Sequence, residues 1–552
     1  MSKSESYAYD ANGNLTQYTD RRGTVDAYSY DGLNRRTFAG FGKNGSQYQD
    51  TIGYTFDGGN RLTEAVDSTA GTIARTYDGL DDLTDEQTPT GEISYSYDNA
   101  KRRTAMTVVG QTAVSYAWDN SNRLTGITQG TASVSFAYDT ANRRTTLTLP
   151  NGVVVAYSYD NNSRISGMTW TLAGNQIGDL EYDYDPDGHV IEKTGSFAQT
   201  NLPQPVTGNT FNADNELTAF NGTALTYDAN GNLLNDGTNT YAWDTRNHLN
   251  AITGANTASF TYDPFGRRTS KTIGGTATSF LYDGLNPVQE LQSGSPSANM
   301  LTGLGIDEYL QRTDASGASS YLTDALGSTL ALANPAGGLA TSYTYQPFGA
   351  TTLSGTANAN PYQFTGREND GTGLNYYRAR YYSPTFQRFV SQDPIGFVGG
   401  DANLYAYARN APTVWSDPLG WWIGQYPPPP PGSGGWGPPE QFPNGHWYLT
   451  DPSGTKWVAH PEDPGHWRHW DQQPPGGGRN RPWPPNSRKP RPNQNQCGPG
   501  QSATDPSGDA PDWQPPLSDP NSNMSVPVVP FDFPELPPIE IPEIPPVPVP
   551  VF

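Results

Sequence analysis

Four of the chain's six histidines, His446, His460, His466 and His469, fall in one short window near its end, with Glu462, Asp463 and Asp471 among them. Imidazole and carboxylate at this density are the donor set of a divalent metal site or of nuclease-type acid–base chemistry. The same window holds Trp447, Trp457, Trp467 and Trp470, and small Trp/His-rich units use such residues for packing alone. No metal or cofactor is therefore assigned to the window. A second pair of carboxylates, Asp393 and Asp417, each opens an Asp-Pro-x-Gly tetrapeptide: Asp393-Pro394-Ile395-Gly396 and Asp417-Pro418-Leu419-Gly420. Asp first, Pro second and Gly fourth is type I turn chemistry. The tetrapeptide recurs at Asp451 and Asp505, where no catalysis is expected, so by itself it assigns none.

What surrounds these residues matters more than their own spelling. The stretch from Gly366 to Gly420 is dense in Tyr, Arg, Asp, Gly and Pro, and it separates two unlike halves. Before it runs an array of short units: aromatic, any residue, aromatic, Asp, then Asn/Ala/Gly-rich residues, Arg or Asn, and Thr. Copies end at Tyr97-Asp98, Trp118-Asp119, Tyr138-Asp139 and Tyr159-Asp160, with others from Tyr9-Asp10 to Tyr282-Asp283. From Asp78 to Asp160 the steps are 20, 21, 20 and 21 residues, a regularity that calls for one repeated unit of structure. Val114, Tyr116 and Trp118 alternate with small residues, as in a half-buried strand. Asp119-Asn120-Ser121-Asn122 is turn chemistry, and Arg123 to Thr128 alternates again as a return strand. One hairpin cannot bury its aromatic face alone, so the units must stack into a long twisting sheet.

After Gly420 the repeats stop, and 34 of the 49 prolines fall in the last 132 residues, which cannot continue the sheet. Pro427 to Pro431 reads as a stiff polyproline II linker, and the end from Val526 to Phe552 alternates Pro with Ile and Val. Low order is expected over 425–441 and 472–552. The basic run Arg479, Arg481, Arg488, Lys489 and Arg491 reads as a solvated linker before it reads as a nucleic-acid or lipid contact.

Composition narrows the classes. The chain has 552 residues, of which 34% are hydrophobic and 12% aromatic, which points to a core of Tyr, Phe and Trp rather than Leu, Ile and Val. A net charge of −22 argues against a repeat surface that coats nucleic acid. The single Cys497 excludes a disulfide framework within the chain. The start, MSKSESYAYD, has no apolar signal region and no transmembrane run is present, so synthesis in the cytoplasm and export by a dedicated machine are expected.

The units resemble the YD repeats of the Rhs family, shared with the C components of Tc toxins and with teneurins. That resemblance implies an all-β fold: hairpins in a spiralling sheet that forms a hollow or partial shell. The stretch from Gly366 to Gly420 is similar to the Rhs repeat-associated core domain, through Tyr376-Tyr377-Arg378-Ala379-Arg380-Tyr381-Tyr382-Ser383-Pro384, Arg388-Phe389 and both Asp-Pro-x-Gly motifs. The family's core domain plugs the shell and acts as an aspartyl autoprotease. Carried over, Asp393 and Asp417 match its carboxylates and Arg380 its supporting arginine, with the cut at Gly420-Trp421-Trp422, after Trp421 or else after Gly420. Gln387 and Trp421 stand where the family usually has Gly and Leu.

The division that follows is a repeat array over 1–290, late repeats over 291–365, and the core domain over 366–420. A Pro-rich linker over 421–441, a Trp/His-rich module over 442–471 and a Pro-rich tail over 472–552 complete it. The function implied is a polymorphic-toxin carrier that encloses its own C-terminal segment as cargo and releases it. A secretion-machine component, an immunity protein or a shell-completing partner would accompany it. The rival is a non-catalytic binding protein whose aromatic-rich sheet contacts carbohydrate or a protein partner.

Overall fold

The computed structural model of the protein describes residues 4–421 and five short strands between Glu440 and Trp483. Each repeat is the expected hairpin. Val114–Trp118 pairs antiparallel with Leu124–Gln129, Val114 opposite Gln129 and Trp118 opposite Leu124. Val114 and Tyr116 are buried while Ser115 and Ala117 are exposed, the period of two that a one-sided sheet requires.

The Asp of each unit builds the turn. Asp119 Oδ1 accepts the amide N–H groups of Ser121 (2.8 Å) and Arg123 (3.0 Å), and Asn122 takes the left-handed conformation at φ 61°. Arg123 Nε donates to Asp119 Oδ2 at 2.7 Å, and its Nη1 reaches forward to the carbonyl of Asp139 in the next turn at 3.1 Å. Tyr138 of that next unit lies 5.2 Å from the same guanidinium and donates its hydroxyl back to the Leu124 carbonyl at 2.7 Å. The pattern repeats at Asp57, Arg61 and Tyr77, and at Asp160, Arg164 and Tyr184. Where the turn carries this arginine, the unit is tied to its neighbour by one forward and one backward contact, and both polar groups are satisfied.

Eighteen strands, from Ser6–Tyr9 to Val190–Thr194, form one sheet in which each strand pairs with the next in the chain. Fourteen more, from Thr226–Tyr227 to Thr351–Gly355, form a second, and a three-stranded sheet from Thr210–Phe211 to Thr223–Ala224 lies between them in sequence. The sheets are large, antiparallel and open rather than closed barrels. The two large sheets share one core: Ile93, Val114, Ile127, Val134 and Leu180 of the first meet Leu281, Val288, Leu310 and Leu322 of the second. This core is largely aliphatic, contrary to the expectation from composition. Tyr and Phe predominate instead where the closing segment packs, in a cluster of Tyr309, Tyr321, Tyr362, Tyr377, Tyr382 and Tyr407 among others. Buried ion pairs stitch the sheets at Arg103–Asp283 (2.6 Å), Arg267–Glu86 (2.9 Å) and Arg246–Asp67 (3.0 Å).

The closing segment adds a four-stranded sheet, Glu368–Asn369, Asn375–Tyr377, Arg380–Ser383 and Arg388–Phe389, in chain order. Arg268 is fully buried beneath it and pairs with Glu368 (2.9 Å) and Asp370 (2.6 Å). Beyond residue 421, Glu440–Gln441, Trp447–Thr450, Lys456–His460, His469–Gln473 and Arg481–Trp483 form an antiparallel meander. It reaches past both limits of the 442–471 window, because the outer two short strands extend the ladder. The remainder of 422–552, with most of the spans expected to have low order, lies outside the described residues.

Candidate active site

Arg380 opens a buried strand of the closing sheet, so its side chain projects from a fixed backbone into the protein. Its guanidinium lies 3.6 Å from the centre of the Phe389 ring, a cation–π contact across the same sheet. From there Nη2 reaches Asp393 Oδ2 at 2.9 Å and Asp417 Oδ2 at 3.2 Å, bridging both carboxylates. Nη1 donates to the Leu404 carbonyl at 2.9 Å, and Nε donates to the carbonyl of Gly420.

Both tetrapeptides are turns as well as carboxylate carriers. Gly396 N–H donates to the Asp393 carbonyl at 2.9 Å, and Gly420 N–H to the Asp417 carbonyl at 3.2 Å. Asp393 is anchored by its own N–H to the Leu404 carbonyl (2.9 Å), and its Oδ1 accepts the Ile395 N–H at 3.0 Å. The turn reading and the site reading therefore coexist: the turn places the carboxylate.

The segment that follows Asp417 is clamped along its length. Ala379 N–H donates to the Leu419 carbonyl at 3.1 Å, and Arg378 Nη1 donates to the Pro418 carbonyl. Gly420 sits at φ 68°, and its α-carbon lies so close to the Tyr377 carbonyl that a side chain has no room. Trp421 N–H donates to Asp417 Oδ1 at 3.0 Å. The Gly420–Trp421 peptide is consequently gripped at both ends, its carbonyl by Arg380 and its amide by Asp417.

Burial pushes the Asp417 carboxyl up to about 6, and the charge of Asp393 adds to the rise. The Arg380 guanidinium and the Trp421 N–H oppose it. A carboxyl poised there exchanges a proton near neutrality. The arrangement can hold one carboxylate ionised, keep the other partly protonated, and stabilise negative charge on a carbonyl oxygen.

All three residues named from the resemblance, Asp393, Asp417 and Arg380, lie together, with Trp421 buried beside them. Trp422, His446 and His466 lie outside the described residues. His460 and His469 fall opposite one another in the register of adjacent strands. Sequence reasoning missed Phe389 and the Leu404 carbonyl, which hold Arg380 in place. Gln387 adopts φ 58°, the left-handed region that explains the family's usual Gly there. Among the described residues, Asp185, Asp187 and His189 bring three ligand atoms within 4.8 Å. That trio is a repeat turn in which His189 Nδ1 replaces the usual arginine against Asp185 Oδ2, at 2.9 Å.

Comparison with known proteins agrees with this architecture. The Teneurin YD-shell family model matches residues 48–176 and 153–412, and the RHS Repeat model matches 9–37. The tRNA3(Ser)-specific nuclease WapA of Bacillus spizizenii is 33% identical over 257 residues, 44% of this chain and 11% of that protein. Toxin protein Tse5 of Pseudomonas aeruginosa is 42% identical over 101 residues, 18% of this chain and 8% of that one. The chain thus spans about a tenth of the length of these relatives. A crystal structure of TcdB2-TccC3-TEV superposes with a TM-score of 0.60 at 17% identity, covering 75% of this chain and 27% of that one, a likeness of fold. With hairpin units that repeat from residue 6 onward and a family model that spans most of the two large sheets, the chain belongs to the YD-shell family of Rhs-repeat proteins.

Proposed function

We propose that the chain is the carrier part of an Rhs-type toxin, which encloses its own C-terminal segment as cargo and severs it by aspartyl autoproteolysis. The observation that carries this reading is the double grip on the Gly420–Trp421 peptide. The Asp393 carboxylate takes a proton from water, whose oxygen adds to the Gly420 carbonyl carbon. Arg380 Nε stabilises the resulting oxyanion. As that carbon becomes tetrahedral, the Trp421 nitrogen gains a lone pair beside Asp417, which donates its proton as the C–N bond breaks. The bond is already in place within the same chain, so a modest catalyst suffices. This assigns the cut to the Gly420–Trp421 bond, one bond before the position after Trp421 that the family resemblance implies.

The toxin relatives support the carrier role, and the open sheets suit a partial shell completed by another protein. Under this reading 1–290, 291–365 and 366–420 are the wall and its closing domain, and 421–552 is the cargo. A secretion-machine component and an immunity protein are its further partners, and the released segment acts outside the producing cell. Mass analysis of the purified chain tests the reading. A shell fragment ending at Gly420 and a tail beginning at Trp421 are expected. A tail beginning at Trp422 would move the cut, and a single species of 59.8 kDa would refute self-cleavage.

A further inference from the structure

A groove of about 500 Å³ opens beside the closing segment, formed by the 203–220 connection, Gln346 to Ala350, and Pro384 to Arg388. One side of it is apolar, lined by Val206, Phe211, Phe220, Phe348 and Phe386, with Phe220 edge to face against Phe386 at 5.1 Å, and polar residues such as Gln346 and Asn403 line the rest. Val206 and Phe211 are exposed, as is Leu202 next to the groove's Pro203, so apolar surface is concentrated here. Arg388 lines the same groove and is 7% exposed. Its Nη2 donates to Asn403 Oδ1 at 3.2 Å, but its Nη1 finds no acceptor, and no carboxylate pairs with it among the described residues. The guanidinium instead lies 5.2 Å from the Phe211 ring and 4.9 Å from the Tyr405 ring. A cation buried without an anion is costly unless something supplies one.

The chain carries a segment of the matching chemistry. Val526 to Phe552 is proline-rich and apolar, with Glu535, Glu540 and Glu543 as its acids beside Asp532. Alternating Pro favours polyproline II in such a sequence, and a turn of three residues would put Glu540 and Glu543 on one edge and Ile541, Ile544 and Val547 on the next. Such segments dock into aromatic-lined grooves at low entropic cost. A total of 131 residues follow Trp421, ample chain to return to a groove whose rim includes Asn403, Ala406 and Asn410. We propose that this groove is a docking site for the chain's own 526–552 segment, with a tail glutamate pairing with Arg388 and its Ile/Val edge against the phenylalanines. The site would hold the end of the tail against the wall, whether or not the chain is cut.

The test places a photoreactive phenylalanine analogue at Phe533 in the full chain and maps cross-links by mass spectrometry. Cross-links to 203–220 and 384–388 of the same chain are expected. E535Q, E540Q and E543Q together change only the tail, leave the sheets untouched, and should lower that yield about tenfold or more. Arg388→Gln should do the same, with circular dichroism reporting whether the sheets remain. Cross-links scattered over the sheets, or a yield indifferent to the three glutamine changes, would overturn the proposal. So would cross-links that join light and heavy chains in an isotope mixture, which would assign the groove to a second copy. The readout is the same for cut and uncut chains, so it fails or succeeds independently of the mass result.

Discussion

The pH dependence of self-cleavage is the most direct consequence of the Asp417 environment. Asp417 acts as the proton donor, and burial with Asp393 as neighbour raises its carboxyl from 3.8 to about 6. The rate then follows the protonated fraction of Asp417. That fraction is about one half at pH 6, about one in eleven at pH 7 and about one in a hundred at pH 8. The first-order rate should therefore fall about fivefold from pH 6 to pH 7 and about tenfold more to pH 8. An unperturbed carboxyl would leave almost no donor across that range. The assay is cell-free translation of labelled chain, a jump into buffers at pH 6, 7 and 8, and quantification of intact and cut species with time. Asp417→Asn keeps the shape but has no acidic proton to donate, so its chain should stay whole at every pH, as should that of Asp393→Asn. A rate that is flat or rises between pH 6 and pH 8 would show that Asp417 is not the donor.

Three further outcomes follow from the packing. Gly420→Ala forces a β-carbon against the Tyr377 carbonyl and to 3.0 Å from the Arg380 amide at a left-handed φ. It should cost at least about 2 kcal/mol in chemical denaturation and slow cleavage by displacing the gripped peptide. Arg268→Ala leaves Glu368 and Asp370 buried with Lys271 as their remaining ion-pair partner, and should destabilise by about 3–5 kcal/mol, read as a lowered melting temperature. Against the upward push of burial, Arg267 and Arg75 hold Glu86, and Arg268 and Lys271 hold Glu368, down at about 2 from an ordinary value of 4.5. Their folded values lie below the unfolded one, so their stabilisation is complete above pH 4.5 and is lost as pH falls toward 2; melting temperature should drop across that window.

The hairpins were legible because everything that makes one lies within some twenty residues of chain. Tyr138, Asp139 and Arg143 show their roles through spacing alone, and the left-handed fourth turn position is spelled by Asn122 and Asn142. The contacts between sheets were not legible. Arg246 meets Asp67 and Arg267 meets Glu86 across about 180 residues of sequence, and no local pattern marks either partner. The aliphatic core was misread because composition averages the wall, where Leu, Ile and Val alternate, with the closing segment, where Tyr crowds. At the site, separations of 13 and 24 residues say nothing about proximity, and the resemblance alone named Arg380, Asp393 and Asp417. What it left out, the hold of Arg380 on the Gly420 carbonyl, depends on a turn that brings the chain back over the strand from Arg380 to Ser383.

The forward arginine and backward tyrosine, in the hairpins that carry them, give the wall a direction. A newly formed hairpin finds its backbone ladder and its backward tyrosine contact on the unit just made, and waits for later units to fill its forward arginine contact and its core contacts with the second sheet. Order of synthesis is then also order of assembly, and the chain can fold as a thread leaving a ribosome or a narrow pore, one stitch at a time. The same logic sets a rule for length. Removing a complete unit of 20 or 21 residues leaves the local stitches between its neighbours with partners of the right kind, provided the unit lost is not one that pairs across the sheets as Arg103 does with Asp283. Walls of this kind can change size where a unit makes only local contacts, without redesign of the stitches that remain.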